Sequence, residues 1–322
     1  MTARFFFAVS VLLTLSFAAQ SQTSTESGTT TSMPQENVVP VLPAFPKWKT
    51  NFFSTFVDLT GTRDANANRF VPYGFGEIQT KIQTFNFQYS LDSGWTAAVT
   101  ANYLEYNVDT KILGQMYYDS TRGLGDTTVQ MITPPWLSGS WIVAGDLGLS
   151  LPTGTIDNRN PAAPTVDYAY NMQLGSGTFD PVAGVSAVDF HPDYQIGTRL
   201  STIVRNSKNN NGYRLGNQYQ ADAWLDVPVK YGFTPRLVGL YKMREGITGS
   251  DYTFARQELV EYYFHDQINY SLSAALKYQV PVTRSVNFAA EIGVPLAQNV
   301  INYDDVIVSM LYYGTVSLTG SF

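Results

Sequence analysis

Cysteine is absent from all 322 residues, histidine occurs twice, and only 14% of the side chains are charged. The missing thiols exclude disulfide frameworks and thiolate metal sites, and they suit passage through an oxidising compartment. No pair of histidines and no carboxylate loop of calcium spacing is present, so neither metal nor cofactor is expected. No glycine-rich phosphate loop precedes a helix. A formal net charge of −6 argues against a nucleic-acid partner. Soluble domains carry about 25% charged residues; this chain has lost surface charge, yet its mean hydropathy is −0.10 and it has no apolar run of the ~20 residues that a membrane-spanning helix needs.

The one sustained apolar run covers residues 5–15, after Arg4 and before Ser16-Phe17-Ala18. A positive start, a short apolar stretch and small residues make a secretory signal peptide, residues 1–18, with no lipobox Cys behind it. Residues 19–46 are rich in Ser, Thr and Pro and have no period, so they read as a flexible segment. The apolar stretch Val38-Val39-Pro40-Val41-Leu42-Pro43 also allows a plug that folds into a lumen.

What the sequence does have is alternation. In residues 312–322, Tyr312, Gly314, Val316, Leu318, Gly320 and Phe322 share one face, and Tyr313, Thr315, Ser317, Thr319 and Ser321 share the other. Such a strand can meet lipid on one face and water on the other. The same period recurs upstream. Phe85, Phe87, Tyr89 and Leu91 oppose Asn86, Gln88 and Ser90; Leu147, Leu149 and Leu151 oppose Asp146, Gly148 and Ser150. Ile268, Tyr270, Leu272, Ala274 and Leu276 oppose Asn269, Ser271, Ser273 and Lys277. With weaker segments near residues 53–59, 126–133, 178–187 and 236–244, the count is about 12 strands, range 10–14.

Connections alternate in length. Short ones fall at residues 92–94, 134–139, 188–192, 231–234 and 281–284; longer ones at 61–77, 104–123, 154–177, 206–216, 245–260 and 297–306. Outer-membrane barrels put short turns in the periplasm and long loops outside. Trp48, Trp95, Trp136 and Trp141 all fall at the periplasmic strand ends, where indole prefers the interface. The expectation is an all-β fold: a transmembrane, antiparallel, up-and-down β-barrel over residues 47–322 with both ends periplasmic. The terminal Phe322 resembles the signal that bacterial outer-membrane assembly machinery reads.

Four glycine motifs carry a further likeness: Gly123-Leu124-Gly125-Asp126, Leu149-Ser150-Leu151-Pro152-Thr153-Gly154, Met172-Gln173-Leu174-Gly175-Ser176-Gly177-Thr178 and Asn211-Gly212-Tyr213-Arg214-Leu215-Gly216. Over residues 53–322 the chain resembles the outer-membrane transporter family labelled "putative MetA-pathway of phenol degradation". The resemblance implies a barrel that passes small, often aromatic or hydrophobic, molecules across the outer membrane. Glycines at strand ends equally supply turns and bulges, so the motifs also fit barrel geometry alone.

Inward parity selects Asp146, Arg199, Arg205, Asp222, Asp226, Arg236, Lys242, Arg244, Lys277 and Glu291 as candidates to line the pore. Most of them read as ion pairs filling a narrow lumen; some could form an eyelet that selects solutes. Two other functions stay open. A closed binding or structural barrel would present Tyr-bearing loops at residues 111–122 and 246–263, and a hydrolase would use His265. Adjacent strand residues face opposite ways, so His265 and Asp266 cannot orient each other, and Ser271 and Ser273 lie roughly 20 Å or more along the strand. His191 sits in a short periplasmic turn.

Overall fold

The computed structural model describes residues 47–64, 73–112, 115–160, 163–168, 170–250, 266–283, 285–301 and 306–321. The expected signal peptide, the segment 19–46, His265 and Phe322 lie outside the described residues. The strands are β1 (Trp48–Asp64), β2 (Tyr73–Ser90), β3 (Thr96–Ile112), β4 in two pieces (Gln115–Leu124 and Thr127–Ile132), β5 (Trp141–Leu151) and β6 (Asp180–Phe190). They continue as β7 (Gln195–Ile203), β8 (Gln218–Asp226), β9 (Phe233–Arg244), β10 (Gln267–Pro281), β11 (Val286–Ile301) and β12 (Val306–Ser321). Each strand is antiparallel to the next, and β12 returns to β1 from Lys49↔Ser321 to Asp64↔Val306. The sheet therefore closes as a barrel of 12 strands.

Alternation in the sequence becomes alternation of exposure. On β5, Ile142, Ala144, Asp146 and Ser150 are buried, whereas Leu147 and Leu149 are exposed. On β7, Gln195, Gly197, Arg199, Ser201 and Ile203 are buried, and Ile196 and Leu200 are exposed. Apolar side chains thus face out and polar ones in, the inverse of a soluble barrel and the arrangement a lipid bilayer stabilises. Trp48, Trp95, Trp136 and Trp141 are exposed at periplasmic strand ends, with Trp48 packed on Phe87 and Tyr89 at centroid distances of 4.9 and 4.2 Å. Higher up the outer wall, Lys81 pairs with Glu105 at 3.0 Å. These two charges lie some nine residues above Ser90, roughly 23 Å of climb for a tilted strand and near the top of an apolar band about 25 Å tall.

In three expected loops the described residues are strand. Within 61–77, 104–123 and 297–306 the described residues extend the neighbouring strands, as in the register from Tyr103↔Leu124 to Ile112↔Gln115. Above the bilayer both faces of a strand are wet, so its residues lose the apolar period that marks a strand lower down. Turn boundaries also move: β6 runs to Phe190, and β8 ends at Asp226 so that the turn to β9 occupies residues 227–232.

The wall is uneven. β1 to β3 have 17, 18 and 17 residues, β10 to β12 have 15, 16 and 16, but β5 to β8 have only 11, 11, 9 and 9. The connections above the low side therefore begin within the barrel's height, where folding inward buries them. Leu200 is 54% exposed midway along β7. Leu200→Arg would set a guanidinium in hydrocarbon, and we expect it to lower stability in lipid vesicles by about 2–4 kcal/mol. Urea titration by tryptophan fluorescence measures this; an unchanged midpoint would contradict the outward assignment.

Candidate functional site

The periplasmic half of the lumen is held by polar pairs that step over intervening strands. Arg199 on β7 grips Asp146 on β5 through two contacts, Nη1 to Oδ2 at 2.9 Å and Nη2 to Oδ1 at 3.2 Å, while Nη1 also donates to Ser186 Oγ at 2.9 Å. Gln130 Nε2 donates to the same aspartate at 2.7 Å. To make this contact the guanidinium crosses β6 above Gly184, where a Cβ would stand 2.6 Å from both Arg199 Nη2 and Asp146 Oδ2. Opposite, Arg236 clamps Asp226 and reaches Glu291 Oε2 at 3.3 Å, and Tyr313 donates its hydroxyl to Glu291 Oε1 at 2.9 Å. Across β1 to β3 the inner face carries a ladder of amides and hydroxyls: Asn51 donates to Asn86 at 2.9 Å, Asn86 to Thr100 at 2.8 Å, and Thr84 to Asn102 at 2.7 Å.

The outer half is crossed by the connection of residues 152–179, between β5 and β6. In a ring of 12 strands, the wall facing that connection is β11, β12 and their neighbours. Tyr168 and Met172 pack there, in one buried cluster with Val57 of β1 and Met310 and Tyr313 of β12, against Ala275 of β10. On the β2–β3 side, Leu174 packs with Leu104, Tyr106 and Ile82. Between them a 3-10 turn, Tyr170–Met172, sets Tyr170 edge-on to Tyr213 at 4.5 Å. The connection therefore spans the full width of the lumen and lays an apolar, Tyr- and Met-rich layer across it.

Three of the four glycine motifs meet at the root of this crossing. Asp126 is buried and accepts hydrogen bonds from Gly154 N at 3.1 Å and Ser176 N at 2.8 Å, tying both legs of the connection to β4. The legs touch through their glycines: a Cβ on Gly175 would lie 2.4 Å from Gly154 O and 2.6 Å from Asp126 Oδ1. The fourth motif and the residues just before it brace the crossing, because Asn209 Nδ2 donates to Ser176 O at 3.1 Å and Asn211 Nδ2 to Asp157 Oδ1 at 2.9 Å. Burial, then the neighbouring Asp119 carboxylate, pushes the Tyr168 hydroxyl up to about 12, so it stays protonated at neutral pH.

The ten charged residues selected by parity fall into three groups. Arg199 joins Asp146, Arg236 joins Asp226 and Glu291, and Arg205 joins Asp180, which no sequence pattern had singled out. Asp222 accepts both contacts of Gln220 Nε2, at 3.1 and 2.9 Å. Lys242, Arg244 and Lys277 are buried on β9 and β10. Asp126, Met172 and Leu174 stand in the quoted glycine motifs without a role of their own, and Tyr168, Tyr170 and Trp224 escaped the sequence reading. Trp224 shares a parity with Asp222 and Asp226 and packs inside against Val188 and Val238, so period-two counting alone could have placed it. His191 stacks on Tyr194 at 4.6 Å in its exposed turn. Among the described residues no group of three His, Asp or Glu could hold a metal.

A membrane-facing apolar belt, periplasmic tryptophans and a polar interior define a bacterial outer-membrane β-barrel. Residues 60–299 match the model of the family "Putative MetA-pathway of phenol degradation", and the chain belongs to that family. No curated protein matches the sequence. Among solved structures, the COG4313 outer membrane channel from Pseudomonas putida F1 superposes with a TM-score of 0.57 at 13% identity, covering 87% of this chain and 97% of that one. A FadL homologue from Pseudomonas aeruginosa (TM-score 0.41, 9% identity, 95% and 99% covered) and the CymD monoaromatic hydrocarbon channel (0.38, 8%, 87% and 89%) are too distant to argue from.

Asp146→Asn would leave Arg199 buried without its counter-charge, and we expect a loss of about 3–5 kcal/mol. The double variant Asp146→Leu with Arg199→Met should recover most of that loss, because it removes both charges. Equal destabilisation of single and double variants in urea titrations would contradict the pairing.

Proposed function

We propose that this protein is a passive outer-membrane channel for small apolar or aromatic molecules, with no covalent chemistry and no cofactor. The observation that carries the reading is the apolar layer where the 152–179 connection meets Val57, Leu104, Tyr106 and Met310. A constriction of this chemistry dewets easily, so it retards ions and sugars while admitting solutes that shed their hydration at little cost. The Pseudomonas putida barrel of similar fold is itself an outer membrane channel, and the family is named for phenol degradation; both support the same class. The paired charges below the layer keep the lumen rigid and polar, so a released solute faces water rather than a second trap.

A second reading is a closed structural barrel, favoured by the same crossing. Conductance separates the two. In planar bilayers the protein should show small, discrete steps, and Tyr168→Ala with Met172→Ala should raise them severalfold. A conductance equal to that of the bare bilayer, for both forms, would favour the closed barrel. Solute class is read in vesicles whose outer leaflet is lipopolysaccharide: entry of N-phenylnaphthylamine, followed by fluorescence, should be faster than in protein-free vesicles. Identical rates would overturn the channel. For assembly, Phe322 is the residue we assign to recognition by outer-membrane machinery; its deletion should lower the inserted fraction in cells, measured by heat-modifiable gel mobility.

A further inference from the structure

Arg244 ends β9 with a guanidinium that has no partner among the described residues. It is 6% exposed, lies on the inward face with Arg236, Val238, Leu240 and Lys242, and its Nε, Nη1 and Nη2 all lack an acceptor. The other buried arginines differ: Arg199, Arg205 and Arg236 each hold an aspartate. The register surrounds Arg244 with amides, Gln218 opposite on β8 and Gln267 opposite on β10, and Gln267 Nε2 is also without an acceptor. Lys242, between Gln220 and Asn269, adds a second buried cation two residues below.

Among the described residues, the nearby carboxylates are committed elsewhere. Asp222 takes Gln220, Glu245 takes Asn217 Nδ2 at 2.8 Å and the Tyr219 hydroxyl at 3.1 Å, and Asp266 accepts Gly246 N–H at 2.9 Å from an exposed position. A buried, unpaired cation is costly, and the cost falls when an anion arrives. The guanidinium fork fits a planar carboxylate through two parallel hydrogen bonds. Buried apolar residues lie near it along the chain. The Gly216 backbone rests on Glu245, bringing buried Leu215 to the end of β9, and Ile247 is buried three residues beyond Arg244.

We propose that Arg244 and Gln267 form a subsite for the carboxylate of a small monocarboxylate with an apolar body, taken up in the outer half of the lumen. Its role in transport rests on the channel reading; its binding does not. Titration calorimetry of the purified full-length chain in detergent micelles uses sodium benzoate as probe, with benzamide and inorganic phosphate as comparisons. Benzoate should bind saturably and raise the melting temperature, benzamide should do neither, and phosphate should bind at least tenfold more weakly.

Arg244→Gln should weaken benzoate at least tenfold and abolish the thermal shift, with Arg244→Lys intermediate because it keeps the charge and loses the fork. Gel mobility before and after heating reports folding of each variant, and Gln267→Ala gives an independent weakening should Arg244→Gln fail to fold. Absence of benzoate binding, equal binding of benzamide or phosphate, or full affinity in folded Arg244→Gln overturns the subsite. Benzoate binding without N-phenylnaphthylamine entry supports the subsite and sinks the channel; entry without benzoate binding does the reverse.

Discussion

In hydrocarbon an unpaired peptide N–H or C=O costs several kcal/mol, and no water is at hand to satisfy it. A strand can therefore cross a bilayer only if both of its edges are paired, and the last strand of a sheet must find the first. Here β12 does so along the length of β1, from Lys49↔Ser321 upward. The rest of the molecule follows from that closure. Once the ring is shut, each strand has one face toward lipid and one toward a confined interior, and the chain must write its sequence with a period of two.

The interior is where choices remain. Side chains there are too few and too short to fill a ring of 12 strands uniformly, and the structure solves the two halves differently. Below, long polar side chains bridge neighbouring and next-nearest strands, as Arg199 does across Gly184 to Asp146. Above, the low wall from β5 to β8 lets the 152–179 connection fall inward and supply a core of its own. Asp126 makes that fall specific, since its carboxylate holds backbone N–H groups from both legs. A polar anchor thus positions an apolar barrier. The separation gives the lumen a rigid base and a waist whose chemistry can be set independently.

How far this could be read beforehand depended on height in the membrane. Between the interfaces, lipid enforces alternation, so strands such as Gln195–Ile203 and Gln218–Asp226 carry their own labels, including the inward parity of Arg199, Asp222 and Asp226. Above the outer interface that pressure ends. Strand extensions such as Gln115–Leu124 then resemble loops, because both of their faces meet water. The crossing connection was hidden for another reason. Its apolar residues, Tyr168, Tyr170, Met172 and Leu174, stand at alternate positions like those of a strand, yet they pack against opposite walls of the barrel rather than along one, so their period says nothing of where they go. What did mark it were glycines flanking Asp126, Gly154 and Gly175, a signal of close backbone approach that fits turns equally well until the three motifs are seen to meet.

The 152–179 connection reaches the wall opposite its origin, and a chain without cysteine offers a clean way to measure that contact. Met172 and Met310 belong to one buried cluster, so Met172→Cys with Met310→Cys should form an intramolecular disulfide under mild oxidation of the protein assembled in the outer membrane. Met172→Cys paired with Leu318→Cys, which faces lipid, should not. Rapid cross-linking of the first pair alone is expected; failure of that pair to cross-link in the folded barrel would mean that the connection does not reach the far wall.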